Sequence, residues 1–179
     1  MNNISPVIDG KIKNLKMLIL DIDGVMTNGR IGYYKDGEIK FFNVRDGRAV
    51  LNAVSFGFIV GFISGRTNIV NRRRAEELKA SFIIEGQSDK NTAFERVLQE
   101  YQIPAQECMY MGDDIQDIVL FEKVGFAVTV ADAPSYIDRF CDYRTAASGG
   151  NGAIREVVDL IFEKQGLLEK SINFFKKGE

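Results

Sequence analysis

Five aspartates gather at two places, each behind a short apolar run. Leu20 is followed by Asp21-Ile22-Asp23-Gly24, and Met111 by Gly112-Asp113-Asp114-Ile115-Gln116-Asp117. Carboxylates brought to one spot repel one another, and a cation relieves the repulsion. An all-oxygen, carboxylate-rich site suits magnesium. Two further stations fit the same chemistry: an apolar run ending in Ile63-Ser64-Gly65-Arg66, and Lys90 in the first turn of a helical stretch. A lysine there opposes the helix dipole by about 0.3–1 kcal/mol, and nearby anions would offset that. A carboxylate attacking a phosphate monoester faces charge repulsion, which a divalent cation removes. The set therefore reads as phosphoryl-transfer machinery, with Asp21 attacking phosphorus in line. In an extended chain Asp23 would share the side of Asp21 and serve first as acid, then as base. Ser64 and nearby backbone N–H groups would hold phosphoryl oxygens. Asp113 would complete a metal shell begun by Asp21 and Asp23, with Asp114 and Asp117 orienting that shell or Lys90. Singly, each residue has a plainer role: Asp113 or Asp117 as a helix cap, Lys90 as a solvated lysine.

These stations meet only if the right elements carry them. Met17 to Leu20, Phe58 to Ile63, Phe82 to Ile84, Cys108 to Met111 and Phe126 to Val130 are short apolar runs, read as buried strands. Helical patterns fall near 47–56, 67–79, 90–101, 115–123, 135–140 and 152–165. Such alternation implies an α/β fold, a parallel sheet with helices on both faces. In such a sheet ligands bind beyond the carboxyl ends of the strands, where all four stations lie. One piece breaks the alternation. Arg30 to Tyr34 and Glu38 to Asn43 flank Lys35-Asp36-Gly37, a hairpin signal. The hairpin carries large side chains on both faces, and a lone hairpin is marginal in water. It must pack on its own domain or, as its inserted position favours, on another subunit.

Composition narrows the classes. With 179 residues, 45% of them hydrophobic and 27% charged, the chain fits one domain over 1–179 with an ordinary core. The chain has no histidine, which excludes Ser-His-Asp hydrolases, Cys-His enzymes and histidine-ligated zinc. A formal net charge of -2 argues against nucleic acid as a partner. Arg72 to Arg74 and Lys176-Lys177 read as solvated faces or small basic patches. Cys108 and Cys141 match no metal spacing and suit a reducing compartment. No stretch is long and apolar enough for a membrane helix, and the first residues lack a signal-peptide pattern. A cytoplasmic location is expected.

Asp21-Ile22-Asp23-Gly24-Val25-Met26-Thr27, Ser64, Lys90 and Gly112-Asp113-Asp114-Ile115-Gln116-Asp117 resemble the four ordered motifs of the haloacid dehalogenase superfamily of phosphatases. A closer likeness covers about residues 14–168. Asn43-Val44-Arg45-Asp46-Gly47, Ser64-Gly65-Arg66, Gly149-Gly150-Asn151-Gly152-Ala153-Ile154-Arg155-Glu156 and Gln165-Gly166 resemble the 3-deoxy-D-manno-octulosonate 8-phosphate phosphatase family. That resemblance implies a Rossmann-like domain without a large cap, and Mg2+ as cofactor. The substrate would be a 2-keto-3-deoxy sugar acid phosphate on the way to lipopolysaccharide. It also implies a homotetramer built around the hairpin of about 30–43, with a neighbouring subunit closing each site. Arg66 and Arg45, with Thr27 and Gly65, would bind substrate, and the tail of about 166–179 could fold over an active site. Two departures stand out. Arg144-Thr145-Ala146 lies where the family has Thr-His, and Arg48-Ala49 where a small or aromatic residue and a glycine are common. A sister group acting on nine-carbon sugar acid 9-phosphates often carries Glu in place of Arg66, so Arg66 favours the eight-carbon substrate. Another sugar phosphate, a catalytically dead scaffold and a phosphorelay receiver module are the competing readings. The receiver fits poorly, because its phospho-accepting aspartate follows the third strand.

Overall fold

The computed structural model describes residues 6–35 and 37–176. Its apolar runs become β1 (Met17–Leu20), β4 (Ile59–Ser64), β5 (Phe82–Glu85), β6 (Cys108–Gly112) and β7 (Phe126–Thr129), with a short β8 (Tyr143–Arg144). They form one parallel sheet in the order β5-β4-β1-β6-β7-β8. Strands this uniformly apolar fit a sheet covered on both faces. Side chains of β1 alternate between two cores. Leu18 and Leu20 join the one built with Val50, Ala53, Ile154 and Val157. Met17 and Ile19 join the other, with Phe94, Val97 and Leu120.

Helices α1 (Pro6–Lys13), α2 (Val44–Ser55), α3 (Ile69–Glu77) and α6 (Ala153–Lys164) cover the first face. Helices α4 (Lys90–Tyr101) and α5 (Ile118–Phe121) cover the second. The 115–123 pattern divides, because a 3-10 turn over Ile115–Asp117 precedes α5. The 135–140 stretch is a 3-10 helix rather than an α-helix. Helix α7 (Leu168–Lys176) was expected only as tail. It rests on its own chain, with Phe174 edge-on to Phe56 and Arg48 stacked 4.2 Å over the Phe175 ring. Residues 177–179 of that tail lie outside the described residues.

The hairpin consists of β2 (Gly32–Tyr34) and β3 (Gly37–Ile39), paired Gly32 to Ile39, Tyr33 to Glu38 and Tyr34 to Gly37. Its turn is centred one residue earlier than Asp-Gly suggests, with Lys35 at φ 52°. Asp36, the other central residue, lies outside the described residues.

Topology explains where the site lies. From β1 the chain moves outward to β4 and β5, then returns to β6 on the other flank of β1. That reversal opens a crevice at the carboxyl ends of β1 and β6, which are the ends that carry Asp21 and Asp113.

Candidate active site

Asp21 follows β1 in the phase of Met17 and Ile19, so it is aimed towards the start of α4. There the Lys90 ammonium lies 3.1 Å from Asp21 Oδ1. Asp89 caps α4 by accepting from the backbone N–H groups of Asn91 and Thr92, which fixes Lys90 as its first residue. Tyr110, opposite Ile19 in register, brings its hydroxyl to the same place. Lys90 donates to Tyr110 Oη at 3.0 Å and to Asp117 Oδ1 at 2.6 Å. Both side chains, like those of Asp21 and Asp117, are buried.

Asp117 holds this cluster together. Its Oδ1 accepts from Lys90 and from the Tyr110 hydroxyl, the latter at 2.6 Å. Its Oδ2 accepts from the backbone N–H groups of Asp113 and Asp114 at 2.8 and 3.0 Å. Four acceptances fill a carboxylate. Asp117 therefore orients Lys90 and the Gly112–Asp114 turn and has no lone pair left for a cation, although it lies close enough.

Asp113 is different. Its Oδ1 is buried with no hydrogen-bond partner among the described residues. Carboxylate oxygens of Asp21, Asp113 and Asp117 lie within 4.8 Å of one another. Gly24 makes the approach possible: its φ is 96°, and a Cβ there would fall 2.0 Å from Asp113 Oδ2. The loop before α6 closes in from the other side. Gly150 donates its N–H to Val25 O at 2.9 Å. A Cβ on Gly149 would sit 1.7 Å from Gly24 O, so the double glycine is a steric requirement.

The electrostatics record the crowding. Burial, opposed by Lys90 and assisted by Asp117, raises the pKa of Asp21 to about 7. Burial, with the charges of Asp21, Asp117 and Asp114, raises Asp113 to about 8. Burial works against the charge on Lys90, yet the Asp21 and Asp117 carboxylates outweigh it and hold its pKa above the usual lysine range. One ammonium thus faces three carboxylates, one of them with an orphaned oxygen. This donor set fits a small hard cation bound through oxygen.

The remaining expected residues divide. Ser64 ends β4 beside β1; it is buried, and its Oγ accepts from Arg66 N at 3.3 Å. Gly65 faces Gln116 of the late acidic turn, 3.7 Å from where its Cβ would be. Arg66 pairs with Glu38 of β3 and lies 3.8 Å from Asp23 Oδ2. Asp114 is exposed, caps the 3-10 turn and accepts from the Tyr136 hydroxyl at 3.2 Å. The Thr27 hydroxyl is spent inside the Asp21 loop, donating to Ile22 O and accepting from the Gly24 and Gly29 N–H groups. Arg45 is exposed and lines a separate cleft with Asn43, Asn151 and Arg155. The Asp23 carboxylate does not join Asp21 and Asp113. The chain turns over Ile22–Met26, so the alternation that would place both on one side ends at Asp21. Asp23 instead meets Lys40 and Arg66.

Sequence reasoning passed over Lys40, Tyr110, Asn71, Glu38 and Glu85. Lys40 binds Asp23, Tyr110 binds Lys90, and Glu38 and Glu85 hold the Arg66 and Asn71 side chains. The one local signal was a lysine set between the apolar residues Ile39 and Phe41-Phe42 of the hairpin arm.

Comparison with known proteins gives a consistent result. A family model described as haloacid dehalogenase-like hydrolase matches residues 67–157. The chain is 39% identical over 169 residues to the 3-deoxy-D-manno-octulosonate 8-phosphate phosphatase of Salmonella typhimurium, covering 94% of this chain and 90% of that one. Among solved structures, the Moraxella catarrhalis 3-deoxy-D-manno-octulosonate 8-phosphate phosphatase, in complex with magnesium, phosphate and KDO, superposes with a TM-score of 0.90. It shares 37% identity, covering 94% of this chain and 97% of that one. A probable phosphatase of the YrbI family from Pseudomonas syringae superposes at 0.93 with 34% identity, covering 98% of this chain and 100% of that one.

Proposed function

Because the chain belongs to the 3-deoxy-D-manno-octulosonate 8-phosphate phosphatase family, we propose that it hydrolyses that sugar acid phosphate with Mg2+ through a phospho-aspartate on Asp21. It is a phosphoric monoester hydrolase of the haloacid dehalogenase type. The observation that carries the mechanistic reading is the convergence of Asp21, Asp113 and Lys90 at the β1–β6 crevice.

Asp21 and Asp113 would hold the cation. Bound there, Mg2+ neutralises the phosphoryl oxygens and lets an anionic nucleophile approach them. The carboxylate of Asp21 attacks phosphorus as the bond to the sugar oxygen breaks. Asp23 gives its proton to the leaving alkoxide. It then takes a proton from the water that attacks the phosphorus of the acyl phosphate, releasing inorganic phosphate and restoring Asp21. Lys90 and the Ser64 hydroxyl stabilise the phosphoryl oxygens, and Lys90 also offsets the charge of Asp21. Asp114 and Asp117 hold the turn that presents Asp113. Arg66 offers a guanidinium for the sugar carboxylate, with the Ser64-Gly65 end beside it. Arg45 lies in its own cleft, where it would act on substrate only through a neighbouring subunit.

The proposal includes a homotetramer. Tyr33, Tyr34, Phe41 and Val44 are exposed on and beside the hairpin, at 75, 62, 81 and 82%. A surface this apolar favours burial against another subunit over solvent. Sedimentation equilibrium reads that assembly directly. A single domain over the whole chain, a cytoplasmic location and a role in lipopolysaccharide precursor synthesis complete the reading. No helix among the described residues is long and apolar enough to cross a membrane.

Two measurements test this function. Phosphate release from the eight-carbon 8-phosphate, a nine-carbon sugar acid 9-phosphate and a plain sugar phosphate is compared with Mg2+ and with chelator. The eight-carbon substrate should lead in kcat/KM, with activity lost in chelator; equal slow rates on all three defeat the assignment. The second measurement is thermal. Folded pKa values of about 7 and about 8 stand above the ordinary 3.8. The stability this pair contributes is therefore full below about pH 4 and lost as pH rises through 7 and 8. Mg2+ offsets that loss, so the Tm gained on adding Mg2+ should be greater at pH 8 than at pH 6, by about 5 °C or more. A gain that shrinks with rising pH contradicts the cation site.

A further inference from the structure

Lys40 follows β3, in an arm whose neighbouring side chains Phe41 and Tyr34 are exposed, yet its own side chain is fully buried. An ammonium group taken out of water is costly unless it is paired and hydrogen-bonded. This one is saturated. Its Nζ lies 2.6 and 2.8 Å from the two Asp23 carboxylate oxygens and 3.0 Å from Asn71 Oδ1, three acceptors for three donors. Asn71, a buried residue of α3, donates onward to Glu85 Oε1 at the end of β5, at 3.1 Å. Glu85 also accepts from Asn68 N at 2.9 Å. Through the Lys40 ammonium, the hairpin, α3 and β5 are thus linked to one carboxylate that sits two residues from the proposed nucleophile.

The proposed reaction needs Asp23 to handle protons at the leaving oxygen, while Asp21 and Asp113 handle the cation. Asp23 is attached to the same tight loop, and a third free carboxylate there would be attracted to any divalent cation bound by the other two. We propose that Lys40 is a positioning residue that holds the Asp23 carboxylate apart from Asp21 and Asp113 and on the side of Arg66. The inserted hairpin therefore has an internal duty, as the strut that carries this ammonium, in addition to any contact between subunits. This inference rests on the reading of Asp23 as proton donor and acceptor.

The experiment uses the full-length protein with Mg2+ and five forms: wild type, Asp23→Asn, Lys40→Met, Lys40→Arg and the Asp23→Asn/Lys40→Met double variant. Each is assayed for kcat/KM on the sugar acid phosphate and on an aryl phosphate whose acidic phenol leaves without a proton. Lys40→Met should lower kcat/KM about 100-fold on the sugar acid phosphate and less than about 10-fold on the aryl phosphate. Lys40→Arg should return to within about 10-fold of wild type. The double variant should be no slower than Asp23→Asn alone, because Lys40 acts through Asp23. Equal losses on both substrates, or losses that multiply in the double variant, overturn the proposal in favour of a merely structural lysine. So does a Lys40→Met enzyme as fast as wild type. An Asp23→Asn enzyme at wild-type rate overturns instead the assignment of Asp23 itself. If Lys40→Met does not fold, Lys40→Gln, which keeps a hydrogen-bond donor without the charge, is held to the same leaving-group criterion.

Discussion

Asp21→Asn is expected to lower kcat by at least about 10⁴-fold while leaving the fold intact, because under the proposed mechanism it removes the atom that attacks phosphorus. An amide has almost no nucleophilicity, and no neighbouring carboxylate can replace it. Asp113 would be engaged by the proposed cation, Asp117 is filled by four hydrogen bonds, and Asp23 is held by Lys40. Stability should move the other way. The Asp21 carboxylate is buried, and its raised pKa of about 7 shows that its charge is disfavoured there. In chelator at pH 8 the Asn variant should melt no lower than wild type. Loss of activity without loss of Tm separates a nucleophile from a scaffold residue. Steady-state kinetics and a melting curve on one preparation measure both.

Lys90→Met should do the reverse and damage both properties. Among the described residues, the Lys90 ammonium is the one cation paired with the buried Asp21 and Asp117 carboxylates, at 3.1 and 2.6 Å. Removing one partner of a buried ion pair leaves uncompensated charge and costs about 3–5 kcal/mol. For a chain of this size that corresponds to a Tm lower by about 10 °C. Activity should fall a further 10²–10³-fold, roughly what a lost electrostatic stabiliser of the transition state costs. Adding Asp117→Asn to Lys90→Met removes one of the stranded anions. Part of the Tm should return, and the activity should not. A Lys90→Met protein with unchanged Tm would mean that the ammonium does not lie among these carboxylates.

The carboxylate cluster could be read from the sequence because strand ends in a parallel sheet have a fixed destination. Asp21 and Asp113 each follow a short apolar run, and runs of this length between helical stretches read as buried strands. Lys90 could be read because a lysine opening a helix lacks a local reason to be there. What failed was local extrapolation. Strand alternation puts Asp23 on the side of Asp21, but the chain has already turned at Ile22, and Gly24 at φ 96° completes the turn. The partners of Lys40 were unreadable, because Asp23 and Asn71 are 17 and 31 residues away on other elements. Tyr110 looked like plain core, as its ring is, while its hydroxyl serves the polar cluster. Helix α7 is legible as well: Leu168, Ser171 and Phe175 fall at helical spacing on the side that meets the rest of the chain.

The central claim is that Asp21 carries phosphate between substrate and water. Acid quenching during turnover of the eight-carbon sugar acid phosphate with Mg2+, followed by borohydride reduction and peptide mass mapping, examines that bond directly. Reduction converts an acyl phosphate into an alcohol, so Asp21 should be recovered in part as homoserine, and only in samples quenched while substrate remains. Substrate consumed at full rate with Asp21 unmodified, and with the reducible carboxyl found on another residue, would contradict the account.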